Sequence, residues 1–195
     1  MSVLPLCLEP HPALRSKARR VDLFTNDLRR LARDLTDTMY AHRGIGLAAP
    51  QVGQNLQVFV ANPSQQRGRE VVVVNPVLGE CRGHVAITEG CLSLPDIWER
   101  VRRASDVRLS GQDVFGKSVV IDAEGLLAIV LQHEFDHLQG QLFIDRLSWF
   151  HRRRVARLIT KHQISTNRPS TNLQTVWSFG HWSLELVCDL GFGYW

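Results

Sequence analysis

The segment that most constrains the fold is an apolar stretch that runs from about Glu124 to Gly140. Leucine, isoleucine, valine and phenylalanine side chains lie on nearly all sides of a helix drawn through it, and Gly140 is a natural C-terminal stop. A helix with so little polar surface must be buried. We therefore predict that the 195-residue chain packs around this helix as essentially one domain.

The other apolar patterns indicate which elements cover that helix. Leucines at spacings of three and four predict an amphipathic helix over 23–40, and β-branched runs predict strands at 56–61 and 70–76. An alternating pattern with a turn predicts a hairpin over 107–121, and a basic helix should span about 148–163. Because strands and helices do not alternate as βαβ units, the predicted class is α+β, with antiparallel or mixed β-sheets packed around the central helix.

Composition excludes several classes of protein. Hydrophobic residues make up 44% of the chain and charged residues 22%, which is ordinary for a globular protein and unlike a disordered or collagenous one. No apolar run approaches the ~18 residues of a membrane helix, and the start of the chain lacks the pattern of a secretory signal. Four irregularly spaced cysteines do not make a disulfide framework. We expect a cytoplasmic protein with no membrane partner and of unspecified oligomeric state.

Within the predicted buried helix, His133, Glu134 and His137 form the pattern HExxH. Histidines four residues apart lie one turn above each other on the same face, so both imidazoles can bind a single metal ion. Glu134 lies about 100 degrees round the helix from His133 and can reach a water on that ion without itself being a ligand. Two histidines can share this spacing by chance, but the apolar helical setting favours a hydrolytic metal site.

A catalytic metal of this kind commonly has three protein ligands and one open position. The best candidate for the third ligand is Cys91, which lies in the segment EGCLSLP at 89–95. Gly90 lets the backbone approach closely, and Pro95 is expected to end any strand ladder. A lone cysteine is more often a small buried hydrophobe, so Cys91 gains weight only from the segments around it.

A third segment, GIGLAAPQ at 44–51, contains two closely spaced glycines. Gly44, Gly46 and Ala49 match the G-x-G-x-x-A pattern of dinucleotide-binding loops. Such a loop must follow a strand and open a helix, whereas this segment follows a predicted helix and runs into Pro50. The dinucleotide interpretation therefore fails, and taken alone the segment is explained equally well as a turn between helix and strand.

Together, GIGLAAPQ, EGCLSLP and QHEFDHLQG resemble, in the same order, the motifs of the peptide deformylases, and the resemblance covers about residues 3–163. It implies a metal-dependent hydrolase that removes the N-formyl group from the initiator methionine of newly made polypeptides and releases formate. It implies Fe(II) as the native ion, although cysteine and histidine ligands also suit zinc, nickel and cobalt. The implied residue roles are metal ligation by Cys91, His133 and His137, acid/base catalysis by Glu134, and hydrogen-bond donation to the reacting oxygen by the Gln51 side chain and the Leu92 backbone N–H.

The substrate implied by the resemblance makes further demands on shape. A formyl carbon carries only hydrogen, so a tight wall near Gly46 and Leu92 would exclude acetyl groups and internal peptide bonds. Gly44 and Gly46 would let the substrate backbone add to the protein as a strand. An apolar slot for methionine is expected among the residues that flank the motifs, each of which is explained at least as well by core packing: Ile45, Ile87, Ile129 and Val130.

The last part of the chain has two distinct compositions. Residues 150–162 include Arg152, Arg153 and Arg154 and no acidic residue, which is either an ordinary solvated face or a surface that docks on the ribosome through its RNA. Residues 165–195 carry few charges and three of the five tryptophans. We interpret them as an appendage of unknown role that either packs on the body or is mobile, outside a catalytic domain at 1–164.

Two rival functions differ in their metal ligands. An HExxH metallopeptidase that cleaves ordinary peptide bonds would take a histidine or glutamate downstream of the helix as its third ligand. Glu124, however, lies upstream of the motif, and His151 lies in the basic stripe. A ribosome- or RNA-binding module with a structural metal would close the site with four protein ligands, whereas three are evident. The candidate ligands therefore favour a deformylase.

Overall fold

The structure, a computed structural model, describes residues 2–166, with side chains of the last helix described as far as Ile159. Short 3-10 helices lie at Pro12–Arg15, Ala49–Val52 and Phe143–Arg146. The longer elements in chain order are α1 (Asn26–Ala41), β1 (Gly46–Ala48), β2 (Val58–Ala61), β3 (Val71–Arg82), β4 (Val85–Cys91), β5 (Leu94–Arg103), β6 (Asp106–Gln112), β7 (Ser118–Glu124), α2 (Gly125–Leu138) and α3 (Trp149–Thr166).

Two antiparallel sheets make up the β part of the described chain. The larger has five strands in the order β1-β2-β3-β6-β7, so β1 and β7 are its edges. The smaller is the hairpin of β4 and β5. Helix α2 packs on β1, β2, β6 and β7 of the large sheet, and polar contacts join its other side to the hairpin. The predicted α+β class, with sheets around a central helix that carries HExxH, is confirmed.

Helix α1 forms where the leucine spacing predicts it. The Thr25 side chain caps the first turn by accepting a hydrogen bond from the Leu28 backbone N–H, and Leu28, Leu35 and Met39 are buried. The helix ends at Ala41, and Arg43 adopts a positive φ of 53° before the glycine segment begins. The turn therefore delivers the chain directly into β1.

Strand β3 continues to Arg82, beyond the predicted end at residue 76. Asn75 and Pro76 suggested a boundary, but a register shift between Val74 and Val77 absorbs them. The Asn75 side chain also bonds both the backbone N–H and the backbone C=O of Val21, each at 2.8 Å. A β-bulge can contain a proline that a regular strand ladder excludes. For this reason the strand is longer than the sequence pattern predicted.

The β4–β5 hairpin was not predicted, and the expectation that Pro95 ends the strand ladder was wrong. Pro95 is the second residue of β5, and Cys91 pairs with Leu94 across the hairpin end. Each strand of a two-stranded sheet has one edge without a neighbour, so a missing backbone N–H is tolerated there. The consequence is functional, because the hairpin places Cys91 at its tip.

Helix α3 begins one residue after Ser148, close to the predicted start, and runs to Thr166. Val155 is fully buried in a cluster with Leu142 and Phe143, whereas Leu158, predicted on the inner face, is half exposed. The predicted appendage at 165–195 lies outside the described residues except for its first two. None of the helices in residues 2–166 has the length and apolar character needed to span a bilayer.

Candidate active site

The site forms where the glycine segment, the hairpin tip and helix α2 meet. One ligand atom from each of Cys91, His133 and His137 lies within 4.8 Å of the others. The Cys91 Sγ is 3.3 Å from the His137 Nε2, and the two imidazole rings meet edge to face with centroids 5.0 Å apart. A thiol and two imidazoles from distant parts of the sequence thus converge on one point.

Two residues that were not predicted from the sequence, Glu89 and Phe143, fix the orientation of the His133 ring. Its Nδ1 lies 2.8 Å from the Glu89 Oε2, and its ring stacks on Phe143 at 6.1 Å between centroids. A carboxylate on one imidazole nitrogen leaves the other free for a metal, as at many histidine metal sites. Glu89 was visible in the segment EGC, but only the fold shows what its side chain contacts.

The pKa values of the two histidines are shifted in opposite directions. Burial alone would lower the pKa of His133, but its contacts with Cys91 and Glu89 outweigh burial and raise the pKa. Burial and the nearby His133 both lower the pKa of His137, which favours its neutral form. A histidine ligates a metal as the neutral imidazole, the form that this shift favours for His137.

Glu134 occupies a confined position against the backbone of β1. Its side chain is buried, and its Oε2 has no hydrogen-bond partner among the described residues. A Cβ added to Gly46 would lie 2.2 Å from the Glu134 Oε1 and 2.9 Å from the Val130 Cγ1. Gly46 is therefore required by the approach of the carboxylate. Burial raises the pKa of Glu134 to about 7, against the opposing charge of His133.

Gln51 and Leu92 both lie next to the cysteine, Gln51 through a side-chain contact and Leu92 through the chain. The Gln51 Oε1 accepts a hydrogen bond of 2.8 Å from the Ala48 N–H, and its Nε2 lies 3.3 Å from the Ser93 Oγ and 3.5 Å from the Cys91 Sγ. Leu92 follows Cys91 in the hairpin turn, and a Cβ on Gly44 would lie 3.0 Å from its Cδ1. The glycine segment and the cysteine segment are thus packed against each other.

The predicted methionine slot is less distinct. Ile45 and Val130 belong to the main core around α2, Ile129 is buried, and Ile87 in β4 is half-buried. Ile45 and Val130 are therefore explained by core packing, the alternative that the sequence already offered. Among the described strands, β1 pairs with β2 on one side only and is an edge of the large sheet, which is the kind of position where a peptide strand adds to a protein.

The candidate ligands of the rival interpretations lie elsewhere. Glu124 is exposed at the end of β7, and His151 on α3 faces Glu99 at 3.3 Å. In the described part of the chain, the one group of side chains suited to hold a metal is Cys91, His133 and His137. Three such donors, with no fourth among the described residues, are typical of a catalytic rather than a structural site.

Comparison with known proteins gives a consistent result. A family model described as polypeptide deformylase matches residues 3–153. A peptide deformylase of Wolinella succinogenes is 39% identical over 83% of this chain and 98% of that protein. The chloroplastic peptide deformylase 1B of Oryza sativa is 46% identical over 71% of this chain and 53% of that protein. The structure superposes on the crystal structure of a peptide deformylase from Legionella pneumophila with a TM-score of 0.80 and 38% sequence identity. The match covers 86% of this chain and 100% of the Legionella chain. This chain belongs to the polypeptide deformylase family, metal-dependent hydrolases that remove the N-formyl group from the initiator methionine of new polypeptides.

Proposed function

We propose that Cys91, His133 and His137 hold the catalytic metal and that Glu134 moves the protons of the deformylation reaction. The observation that carries this proposal is the convergence of three ligand atoms within 4.8 Å beside a buried carboxylate whose Oε2 has no hydrogen-bond partner among the described residues. A carboxylate buried without a partner is costly unless a ligand or substrate completes its contacts.

The donor set fits a divalent transition metal. A thiolate and two imidazoles suit iron, zinc, nickel and cobalt, and we propose Fe(II) as the native ion on the basis of family resemblance. When bound, such an ion would lower the pKa of a coordinated water to about 7 and so supply a nucleophile at neutral pH. Glu89 orients the His133 ring, with its carboxylate 2.8 Å from the His133 Nδ1, so that the other ring nitrogen is available to the metal.

The protein side chains then handle protons and developing charge. Glu134 accepts a proton from the attacking water and returns it to the departing amine, since an amide nitrogen leaves only when it is protonated. Negative charge that grows on the formyl oxygen is stabilised by the Gln51 amide and the Leu92 N–H. A fixed donor of this kind is worth about 3 kcal/mol, and the bond from the Ala48 N–H holds Gln51 in place beforehand.

Shape accounts for selectivity toward a formyl group. Gly46, Glu134 and Val130 are in such close contact that even a methyl group on Gly46 does not fit without displacement. We propose that the substrate backbone adds to the edge of β1 and that its methionine lies against Ile45, Ile87, Ile129 and Val130. A formyl carbon, which carries only hydrogen, then fits where an acetyl group clashes.

The test is formate release from a formyl-methionyl peptide by anaerobically purified protein, measured together with its metal content. We expect formate release in proportion to bound iron, and weaker or no release from the acetyl-methionyl peptide. Metal binding without formate release would contradict the proposed reaction. Cleavage at an internal peptide bond would instead favour the metallopeptidase.

We also propose that α3 contributes to docking on the ribosome, in the cytoplasm where formylated chains are made. Some of its cations already have partners, because Arg152 contacts Asp145 at 3.0 Å and Arg154 contacts Glu99 at 2.5 Å. The exposed Arg153, which stacks over Trp149, is therefore the better residue to change. Arg153→Ala should weaken salt-dependent co-sedimentation with ribosomes. Unchanged co-sedimentation would contradict docking through this helix.

A further inference from the structure

Behind the candidate metal ligands lies a buried ion network, of which the proposed function uses only Glu89. Its centre is Arg103 in β5, whose side chain has no exposed surface. The Arg103 Nε and Nη2 donate to the two Glu89 carboxylate oxygens at 2.6 and 2.9 Å. The Arg103 Nη1 donates to the Asp136 Oδ2 at 2.6 Å. All three nitrogens of one guanidinium are thus used on two carboxylates.

The two carboxylates belong to the two elements that supply the candidate ligands. Glu89 lies on β4, two residues before Cys91, and its Oε2 also contacts the His133 Nδ1 at 2.8 Å. Asp136 lies on α2 between His133 and His137. Arg103 therefore joins the hairpin that carries the thiol to the helix that carries the imidazoles.

Fold stability alone is a weak reason for such a network. A buried ion pair recovers little more than its desolvation cost, and well-packed apolar residues of similar volume often stabilise a protein at least as much. The Arg146 Nε also donates to the Asp136 Oδ2, at 2.6 Å. The two arginines therefore balance the two carboxylates of the network in charge. What an apolar cluster cannot provide is a fixed direction for the carboxylate that orients His133.

We propose that Arg103 is a positioning residue for the metal centre: by bridging Glu89 and Asp136 it sets the spacing between Cys91 and the two histidines before the metal binds. This inference rests on the metal centre of the proposed function. Lysine cannot replace arginine in this role, because one ammonium group cannot bridge both oxygens of Glu89 and reach Asp136 at once.

The test compares Arg103→Lys and Arg103→Met with Arg108→Met. Arg108 is a matched control, since it makes the same two-nitrogen contact with Asp122 at 2.6 and 2.9 Å, but on the exposed face of the large sheet. Cobalt(II) affinity is measured by competition with a chelator, together with the thiolate-to-cobalt charge-transfer absorption and thermal unfolding of the metal-free proteins.

We expect Arg103→Lys to fold, to bind cobalt about 10- to 100-fold more weakly, and to show an altered charge-transfer band, because partners behind metal ligands have effects of this size. Arg108→Met should match the wild type in affinity and spectrum. Wild-type affinity and spectrum in Arg103→Lys would overturn the inference, as would loss of folding in both Arg103 variants. A wild-type protein that binds no cobalt would remove the proposed metal centre itself, and this inference with it.

Discussion

Helices α2 and α3 both carry clustered charges, but their surroundings give those charges different weight. Glu134, Asp136 and His137 on α2 are all less than 5% exposed. On α3, the side chains of Arg152 and Arg154 are 57% and 66% exposed, although each contacts a carboxylate. When one partner of a buried ion pair is removed, the other charge stays buried and water cannot solvate it. Solvent screens the exposed pairs, so removing one of their partners costs little. Charge clustering in the sequence is therefore no measure of energetic importance.

The largest effect should come from the hairpin tip that faces α2. Cys91→Ser removes the thiolate from the proposed three-ligand site. We expect this variant to lose its metal and its rate of formate release to fall by more than about 100-fold. Mutating a residue that only supports a metal ligand already lowers metal affinity or activity by about 10- to 100-fold. Metal content and formate release are measured on the same preparation. Cys81→Ser, at an exposed cysteine, is the control. Retained metal and activity in Cys91→Ser would mean that another residue completes the site.

Glu134→Gln should separate catalysis from metal binding on α2. The amide keeps the size of the side chain but cannot accept a proton, so we expect kcat to fall by about 10²- to 10⁴-fold with metal content unchanged. Steady-state formate release and metal analysis provide the measurement. Wild-type kcat would show that a different group moves the proton.

Gly46→Ala tests how tightly β1 confines Glu134. The new Cβ would lie 2.2 Å from the Glu134 Oε1, so the carboxylate must move. We expect kcat to fall by about 10²-fold from a displacement of this size, and stability to fall by about 1–3 kcal/mol. Formate release and urea unfolding measure the two effects. The matched change Gly68→Ala lies in an exposed loop with open space around it, but its φ of +89° limits it to a control for kcat.

The smallest effect is expected on α3. Burial would raise the pKa of Glu99, but hydrogen bonds from Arg154 and His151 outweigh it and lower the pKa. Because the folded-state pKa lies below the unfolded value, this contribution is present above the ordinary carboxyl pKa and is lost as pH falls through the folded value. Arg154→Ala should therefore cost only about 0.2–1 kcal/mol at neutral pH, and less in acid.

Urea unfolding at neutral and acidic pH measures that difference, with Arg100→Ala, an exposed arginine of β5, as the control. Formate release should equal that of the wild type in both variants. A loss of several kcal/mol in Arg154→Ala would show that the contact with Glu99 is shielded from solvent, and the contrast between the two helices would then fail.

Much of the fold was predictable because it rests on local patterns. The leucine spacing in α1, the β-branched residues of β2 and the apolar run of α2 each specify an element without reference to distant residues. The hairpin of β4 and β5 was missed because Pro95 and the charged residues of β5 satisfy no local rule for a strand. Its stability comes instead from burial of Val101 and Ile97 against residues 142–144.

The candidate site divides in the same way. The residue types and their order in the chain suggested Cys91, His133 and His137 as ligands, and the structure brings them together. Nothing in the sequence connected Arg103 with Glu89 or Asp136, because the three side chains come from three different elements. Such contacts depend on how those elements pack, and packing is a long-range property.

By itself, the sequence determined which helices and which chemically reactive side chains this protein has, because helix periodicity and the HExxH spacing depend on residues only a few positions apart. Only the tertiary structure decided that a thiol from a hairpin meets two imidazoles from a helix. It also decided that the Glu134 carboxylate fills the space that a side chain on Gly46 would need, and it decided which charges are shielded from water. Distances and burial between remote segments follow from the packing of the whole chain, and they determine whether a charged side chain orients a metal ligand or is only solvated surface.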